Sequence, residues 1–510
     1  MNIPELPKQR RILALALGSN IGDRVANIEG ALSYLESNSD IRIVDTSFLY
    51  ETRPMYVLDQ PKFINGACLV STAMDPQNLI DTIKDAEARQ GRLPGIRNGP
   101  RVVDLDVLFD DSNAYNLNSV PGRSLTVPHP KIHEREFVLR PLADMMPHFR
   151  HPTLKSTIAE LLSRLSETSI QQILNFPAHS RNSDASNVVW TLRSQTFIMA
   201  TLNTTPDSFS DGGDNENVQS ALQYSTDAVE TGADIVDIGG FSTRPGSYFV
   251  SEEEELSRTA PFIAALRKGG LKVPISIDTF RSSVAEKALD AGANCINDVY
   301  ALTGPPEDVA GTQTTDISME DEVRVSDNGA MLALAARWKV PVILMHSRGP
   351  ADKNKDYSKY GGNILEAVQD ELGIRVHRAL KAGVRRWNII LDPGIGFSKS
   401  IRDNVILIRD HSQLTNNRTE ITKSSECLPS SPSISLHNFP TLVGTSRKRF
   451  LGHLAGREET KISPKSRDWA TAAAVTSLVQ QNADILRVHA VNSMRDVIRV
   501  ADGIWREQYK

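Results

Sequence analysis

Strand-like and helical patterns alternate in the first third of the chain. Short apolar runs of the kind that form strands occupy residues 12–18, 41–50, 63–72 and 102–109. Two longer stretches, 24–37 and 76–91, repeat their apolar residues at helical spacing. The second has Pro76 at its start and Gly91 at its end, which is typical of helix boundaries. Few elements with long connections between them predict a small α+β sandwich over residues 10–150.

The pattern becomes regular in the rest of the chain. Residues 151–194 are polar, rich in Ser and weakly patterned apart from a helical piece at 155–165, and we interpret them as a connector. From 195 to 510, strand-like runs alternate with helical segments, and the runs end at positions 203, 240, 279, 299, 346, 394, 446 and 489. Eight such units predict a (β/α)8 barrel. Two stretches that lack this rhythm, about 304–328 and 411–438, are predicted to be surface insertions.

Composition places the chain among ordinary globular proteins. Its 510 residues are 40% apolar and 23% charged, which suffices for two or three domains with their own cores. With 57 basic and 62 acidic residues, the net charge of −5 argues against nucleic acid as a partner, and the apolar runs are too short to span a membrane. Three cysteines are too few for a disulfide framework, which favours a reducing compartment and leaves cytosol and mitochondrion both open.

Polar side chains stand at the predicted C-terminal ends of nearly all the barrel strands, where barrel active sites lie. The cations among them suit a phosphate or diphosphate: Arg244, Lys448, Arg487 and His489. The carboxylates and the amide suit the donor edge of a planar heterocycle: Asp278, Asn297 and Asp392. Asn203 offers a neutral oxygen of the kind that Mg²⁺ binds. Loop polarity at a barrel rim is the alternative, but this mixture favours a heterocycle that carries a diphosphate.

Seven motifs of this half, in order along the chain, resemble dihydropteroate synthase. They are MATLNTTPDSFSDGG (199–213), DIGGFSTRPGS (237–247), SIDT (276–279), INDV (296–299), LDPGIGFSK (391–399), VGTSRKRFLG (443–452) and RVHAV (487–491). The resemblance implies condensation of 6-hydroxymethyl-7,8-dihydropterin diphosphate with 4-aminobenzoate and release of diphosphate. This is a dissociative substitution that needs positioning and charge stabilisation but no enzyme nucleophile.

The same resemblance implies roles by position. The implied sets are Asn203 for Mg²⁺; Thr243, Arg487 and His489 for the diphosphate; Asp278, Asn297, Asp392 and Lys448 for the pterin; and Pro245, Phe397 and Lys448 for the aminobenzoate. Asp278, Lys448 and Arg487 are the expected catalytic residues, with Asp278 next to the cationic methylene. The motifs give His346 no role, and we interpret it as structural. Phe241 stands where many family members carry an acidic residue.

Asp104 and Asp106 lie two residues apart in the strand-like run VVDLDVLF (102–109). Because side chains alternate along a strand, both carboxylates face the same side, about 7 Å apart at Cα. Such a pair can hold two Mg²⁺ ions and bind the phosphates of a nucleotide. The preceding loop GRLPGIRNGPR (91–101) carries arginines that suit a phosphate lid. A solvated strand edge is the alternative for the Asp pair alone.

The motifs of this half resemble 6-hydroxymethyl-7,8-dihydropterin pyrophosphokinase. They are GSNIGDR (18–24), QPKFINGA (60–67), EARQGR (87–92), NGPRVVDLDVLF (98–109) and VPHPKIHEREFVLRPL (127–142). The implied roles are Asp104 and Asp106 as Mg²⁺ ligands; Glu87, Arg92, Arg101, His129 and Arg135 at the nucleotide phosphates; and Phe63, Phe137 and Asn65 around the pterin. Arg92 and Arg101 join the Asp pair as expected catalytic residues. Asn98 and Pro94-Gly95 depart from the common lid sequence, which has a Trp and a further Arg.

Both halves would act on one intermediate, so the chain resembles the bifunctional folate-biosynthesis enzymes of fungal type. The expected fold is a ferredoxin-like α+β sandwich followed by a TIM barrel. The expected substrates are hydroxymethyl-dihydropterin, ATP and 4-aminobenzoate, with two Mg²⁺ ions in the kinase site and one in the synthase site. We expect a homodimer through the barrel and no nucleic acid or membrane partner. The alternatives are a phosphate-binding barrel of other specificity with a regulatory N-terminal domain, and a scaffold with a degenerate kinase-like domain.

Overall fold

The protein divides into two compact units. The computed structural model describes residues 10–93, 95–96, 98–111, 113–117, 125–166, 170–178, 187–203, 214–240, 250–304, 329–348, 360–416, 427–432, 435–456 and 463–506. The first unit takes the described residues within Met1–Asn175, Arg385–Trp387 and Arg418–Ser433. The second takes those within Phe176–Val384, Asn388–Asn417 and Ile434–Lys510. No helix among the described residues is both long enough and apolar enough to cross a membrane.

The first unit is an antiparallel sheet with helices on both faces. Its elements are β1 (Arg11–Ser19), α1 (Arg24–Glu36), β2 (Ile41–Thr46), β3 (Leu49–Thr52), β4 (Phe63–Thr72), α2 (Pro76–Arg89), β5 (Asp104–Asp110), β6 (Tyr115–Leu117), β7 (Leu125–Val127), α3 (Glu136–Met145), α4 (Ile158–Ser163) and β8 (Gln171–Phe176). The strands run in the order β5-β1-β4-β3-β8, and β2 also pairs with β4. This arrangement confirms the predicted α+β sandwich.

Alternation along β1 separates the two cores of this unit. Leu13, Leu15 and Leu17 pack with α1 and α2, whereas Ala14 packs with α3 and α4 on the opposite face. At the end of the strand, Gly18 lies between Asn65 of β4 and Asp104 of β5. A Cβ on Gly18 would lie only 3.2 Å from the Asn65 side-chain oxygen, so glycine lets these two polar side chains approach the same place.

The expected connector contributes to the first unit. Its Ile158 and Leu161 lie on α4, which Thr157 begins with a capping box, and both side chains pack in the core. Ile173 of β8 also lies in the first unit's core. The interpretation of 151–194 as a connector was therefore too broad. The sequence alone does not show whether an isolated apolar residue in a polar stretch packs against another part of the fold. Residues 179–186 lie outside the described residues.

The second unit contains a parallel barrel surrounded by helices. Its elements are β9 (Val188–Thr191), β10 (Phe197–Asn203), α5 (Asp214–Glu230), β11 (Ile235–Gly239), α6 (Glu252–Lys268), β12 (Ile275–Asp278), α7 (Ser282–Ala291), β13 (Cys295–Asp298), α8 (Ala330–Trp338), β14 (Val342–Met345), α9 (Ile364–Lys381), β15 (Ile389–Asp392), α10 (Ile401–Arg409), β16 (Leu442–Val443), α11 (Arg449–Leu454), α12 (Asp468–Gln480), β17 (Ile485–Val488) and α13 (Val491–Trp505). The strand order is β15-β14-β13-β12-β11-β10-β17-β16, and a parallel bridge between Leu391 and Thr441 joins the two ends. This confirms the predicted barrel.

The two predicted insertions have different outcomes. Of 304–328, only residue 304 is described. Within 411–438, His411–Thr415 forms a 3-10 helix whose His411 and Leu414 are buried, and Leu428 packs in the core of the first unit. The prediction that all of 411–438 is a surface insertion was therefore wrong. Leu414 and Leu428 are single apolar residues in a polar stretch without periodicity, so the sequence does not predict that they are buried.

Candidate active sites

The first site is a pocket at the end of β1, β4 and β5. Leu105 points into the core at 1% exposure, so Asp104 and Asp106 on either side of it both face the pocket. The predicted residues that line the same pocket are Phe63, Asn65, Arg101, Asp104, Asp106, His129, Arg135 and Phe137. The enclosed and partly open space is about 910 Å³. The fold therefore brings together residues that are more than seventy positions apart in the sequence.

The two carboxylates of this pocket differ in their surroundings. Asp104 forms ion pairs with Arg92 and Arg101, both at 2.5 Å. Burial alone would raise the pKa of Asp104, but the two guanidinium groups outweigh it and hold that pKa below its ordinary value. Burial and the adjacent Asp104 carboxylate raise the pKa of Asp106. A further cation at this pair would relieve the repulsion, so the donor set fits Mg²⁺.

The number of protein ligands also fits magnesium. Among the described residues, no group of three or more His, Cys, Asp or Glu side chains is arranged to hold a metal ion. Mg²⁺ is commonly held by one or two carboxylates, with substrate phosphates and waters completing its shell. Asp104 and Asp106 match that pattern.

Glu87 lies behind β5 and does not line the pocket. It is 2% exposed and accepts a hydrogen bond at 2.8 Å from the amide of Leu105, between the two Asp residues. It also forms ion pairs with Lys84 and Arg92. The structure therefore places Glu87 where it orients β5 and Arg92, whereas the resemblance implied a place at or near the nucleotide phosphates.

Tyr56, which lines the pocket, and Asn20, which contacts the pocket residues Arg101 and Gln60, carry no role in the sequence analysis. The ring of Tyr56 lies 5.2 Å from the Lys131 ammonium, and its hydroxyl accepts a hydrogen bond at 3.2 Å from Arg135. Asn20 accepts at 2.8 Å from the amide of Arg101 and donates at 3.1 Å to Gln60. Asn20 belongs to the quoted motif GSNIGDR, which is the signal that could have identified it, whereas nothing local marks Tyr56.

The second site lies at the C-terminal ends of the barrel strands. Arg487 of β17 donates from Nε to Asp237 of β11 at 2.7 Å and from Nη2 to Asp278 of β12 at 2.8 Å. Asn297 of β13 donates to Asp237 at 3.2 Å. Asp237 is fully buried and accepts from both Arg487 and Asn297, although the sequence analysis assigned it no role.

Burial changes the protonation of the carboxyl groups in this site. It raises the pKa of Asp278 to about 7, with Asp237 adding to the effect and Arg487 opposing it. It raises the pKa of Asp392 to about 6, which the amide of Gly394 and the ammonium of Lys448 partly offset. Both groups can therefore exchange a proton near neutral pH.

The remaining predicted residues of the barrel surround these carboxyls. Lys448 lies over the Phe397 ring, with Nζ 4.2 Å from its centroid. His489 follows β17, and its Nδ1 lies 3.0 Å from the Ser446 hydroxyl. Asn203 is half-buried at the end of β10. Thr243 and Pro245 lie outside the described residues, as do Phe241 and Arg244.

The class of protein follows from the families that its two parts match. A model of the pterin binding enzymes matches residues 199–489, and a model of 7,8-dihydro-6-hydroxymethylpterin-pyrophosphokinase matches residues 14–147. The chain therefore belongs to the family of folate synthesis proteins that join these two parts in one polypeptide.

Similar proteins span both parts. The folic acid synthesis protein fol1 of Schizosaccharomyces pombe is 40% identical over 97% of this chain, and the mitochondrial folate synthesis bifunctional protein of Pisum sativum is 35% identical over 99%. The alignment covers 60% of the first relative and 91% of the second, so the chain spans well under two thirds of the fungal protein's length. A wild-type HPPK-DHPS structure from Plasmodium falciparum, solved with pteroate, has the same fold, with a TM-score of 0.73 and 19% identity over 97% of this chain and 98% of that one.

Proposed function

We propose that the protein catalyses two consecutive steps of folate synthesis. The first transfers a diphosphoryl group from ATP to 6-hydroxymethyl-7,8-dihydropterin and releases AMP. The second joins the pterin diphosphate to 4-aminobenzoate and releases diphosphate. The observation that carries the proposal is that each unit gathers its own motif residues into one site: Asp104 and Asp106 in the first pocket, and Asp278 with Arg487 at the barrel.

In the first step, the side chains of the pocket bind and align the two substrates. Phe63 and Phe137 would enclose the pterin ring, and Asn65 would pair with its edge. Asp104 and Asp106 would hold two Mg²⁺ ions, which when bound neutralise the charge on the ATP phosphates. The pterin hydroxyl oxygen then bonds to the β-phosphorus, the bond to the AMP oxygen breaks, and the hydroxyl proton is lost.

Cations in the pocket, and Arg92 beside it, would bind the phosphates. Arg92 and Arg101, which pair with Asp104 in this structure, would turn to the phosphate oxygens once Mg²⁺ occupies the carboxylates. Arg135 and His129 line the same pocket and would contact the nucleotide phosphates. In this proposal, Glu87 acts by orienting Arg92 and β5.

In the second step, the barrel stabilises charge separation. Asp278, Asn297, Asp392 and Lys448 would hold the pterin, while Thr243, Arg487 and His489, with Mg²⁺ at Asn203, would hold the diphosphate. The bond between the methylene carbon and the diphosphate oxygen breaks, and the Asp278 carboxylate stabilises the cationic methylene. The amino nitrogen of aminobenzoate, placed by Pro245, Phe397 and Lys448, then bonds to that carbon and loses a proton.

A product assay with single omissions tests the proposal. AMP should form only with ATP, Mg²⁺ and hydroxymethyl-dihydropterin present, and dihydropteroate only when 4-aminobenzoate is added as well. Supplied pterin diphosphate should support dihydropteroate formation without ATP. Failure of the first reaction alone would contradict the kinase assignment, and failure of the reaction from supplied pterin diphosphate would contradict the synthase assignment.

A homodimer through the barrel is the assembly that the proposal includes. Helices α12 and α13, which pack against each other, expose large apolar side chains: Trp469 at 85%, Val500 at 63%, Ile504 at 61% and Trp505 at 48%. Such a patch on the surface of a barrel suits a second copy of the same surface. Light scattering should give twice the chain mass, and Trp469→Glu together with Ile504→Glu should give a monomer. A monomeric wild-type protein would contradict this assembly.

A further inference from the structure

The loop after β15 packs tightly against the end of β14. Residues 393–398 lead from Asp392 through Phe397 to Lys399 and turn at Gly394, whose φ is +67°. A Cβ at Gly394 would lie 1.9 Å from the backbone oxygen of His346, so only glycine permits this approach. The loop therefore lies in direct contact with the segment around His346.

Lys399 bonds to both segments. Its Nζ lies 3.0 Å from the backbone oxygens of Gly394 and of Phe397, and 2.9 Å from Nδ1 of His346. The backbone oxygen of His346 lies at 3.3 Å. Burial lowers the pKa of Lys399 to about 7, so the group carries three hydrogens as an ammonium and two as an amine, and these neighbours can accept all of them in either form. The lysine thus connects the two ends of the loop to the adjacent strand end.

His346 is oriented to receive the lysine. Burial lowers the pKa of His346 to about 3, so its imidazole is neutral near pH 7. Its Nε2 lies 3.0 Å from Glu371, which also pairs with Arg348. A neutral ring that donates from Nε2 to a carboxylate presents its Nδ1 lone pair, and that is the atom that faces Lys399.

The position of Phe397 depends on the hydrogen bonds of Lys399 more than the position of Asp392 does. Asp392 pairs with Met345 along β14, its backbone oxygen accepts from the amide of His346 at 2.8 Å, and its carboxylate accepts from the amide of Gly394 at 2.7 Å. Phe397 lies two residues before Lys399, and its own carbonyl is one of the lysine's acceptors. Loss of the lysine would therefore move the ring under Lys448 while strand pairing keeps Asp392 in place.

We infer that Lys399 is a positioning residue that fixes Phe397 and thereby sets the affinity of the barrel for 4-aminobenzoate. The inference rests on the proposed synthase function and assigns His346 a role as the partner that orients Lys399. The residue acts through the loop and through Phe397, and it needs no contact with either substrate.

The test is the effect of Lys399→Met on the two KM values of condensation, measured with supplied pterin diphosphate. The long apolar side chain keeps most of the volume and removes all the donors. We expect KM for 4-aminobenzoate to rise about tenfold, because the variant loses the buried hydrogen bonds from Lys399 to the backbone oxygens of Gly394 and Phe397. We expect KM for pterin diphosphate to stay within about twofold, because strand pairing still holds Asp392.

Matched variants keep the inference falsifiable. Lys268→Met makes the same change at an exposed position at the C-terminal end of α6, and should leave both KM values unchanged. Lys399→Gln retains two donor hydrogens and should show a smaller rise in KM for 4-aminobenzoate. It replaces Lys399→Met as the test if Lys399→Met does not fold. An equal rise of both KM values, or a fall in kcat alone in a folded variant, overturns the inference. Absence of condensation in the wild-type protein overturns the proposed function instead.

Discussion

Replacing Arg487 by Met tests the electrostatic centre of the barrel site. The guanidinium donates one N–H to Asp237 and one to Asp278, and its other N–H groups can donate to an incoming diphosphate. Removing a preorganised donor of this kind lowers kcat by about 10²–10³-fold, or ~2.7–4 kcal/mol. We therefore expect condensation to fall by that factor, while ATP-dependent AMP release persists in the same preparation.

The substitution should also lower the free energy of unfolding. Breaking a buried ion pair by removing one partner costs about 3–5 kcal/mol. Because the pKa of Asp278 is already raised to about 7, this carboxyl can take up a proton in the variant, so we expect the lower end of that range at neutral pH. An acid whose pKa is raised in the folded state contributes stability below its unfolded pKa of 3.8, and that contribution is lost as the pH rises through 7. Removing Arg487 takes away the charge that opposes the rise in the pKa of Asp278, so in the variant this loss of stability should extend above neutral pH.

Three assays and one matched variant decide the outcome. Dihydropteroate formation from supplied pterin diphosphate measures condensation, AMP release measures the first unit, and urea unfolding measures stability. Arg487→Lys keeps the positive charge but cannot contact both carboxylates with the same geometry, so its activity should lie between those of Met and Arg. A loss of condensation smaller than about tenfold in folded Arg487→Met, or an equal loss of both activities, would refute the reasoning.

Three further predictions concern the first unit. Asp104→Asn and Asp106→Asn should each abolish AMP release and leave condensation intact, because paired carboxylates hold the metal at the phosphates; near-normal AMP release with Mg²⁺ present would contradict the assignment. Leu428→Ala should lower the free energy of unfolding by about 2–3 kcal/mol, since Leu428 is 5% exposed within the core. A short Gly/Ser bridge in place of 417–426 should change neither the free energy of unfolding nor activity. Urea unfolding of both variants measures this, and an unaffected Leu428→Ala protein would show that the contact contributes nothing. Asp144→Asn should flatten the pH dependence of stability between about pH 4 and 7. Burial raises the pKa of Asp144 to about 7, so the stability that this carboxyl contributes in acid is lost as the pH rises across that window. Urea midpoints at pH 4 and 7 measure the slope, and an unchanged slope would contradict the raised pKa.

Local rules were sufficient for part of the first site. The alternation of side chains along a strand already places Asp104 and Asp106 on one side, and the structure has them on β5 facing the same pocket. The eight strand-like runs likewise predict a barrel without any tertiary information. The expected role of Glu87 depended on resemblance, because neither local spacing nor composition shows which side of β5 a residue of the preceding helix will reach.

Other features had no local signal. Nothing near Leu428 predicts that it is buried, and nothing near Tyr56 predicts the cations around its ring. The motif LDPGIGFSK contains Lys399, but its bonds to His346 involve a residue 53 positions away. These contacts depend on surfaces that exist only once separate segments have packed together.

The sequence by itself determined the order of the elements, the identity of the chemical groups and the spacing of the paired carboxylates, because periodicity and alternation act over a few residues. Tertiary structure alone decided which groups neutralise each other. Arg487 reaches Asp237 and Asp278 across 250 and 209 positions, because adjacent parallel strands carry all their C-terminal ends to one rim of the barrel. The raised pKa of Asp278 has the same origin, since burial and a neighbouring carboxylate are properties of the assembled rim and not of the strand that carries the residue.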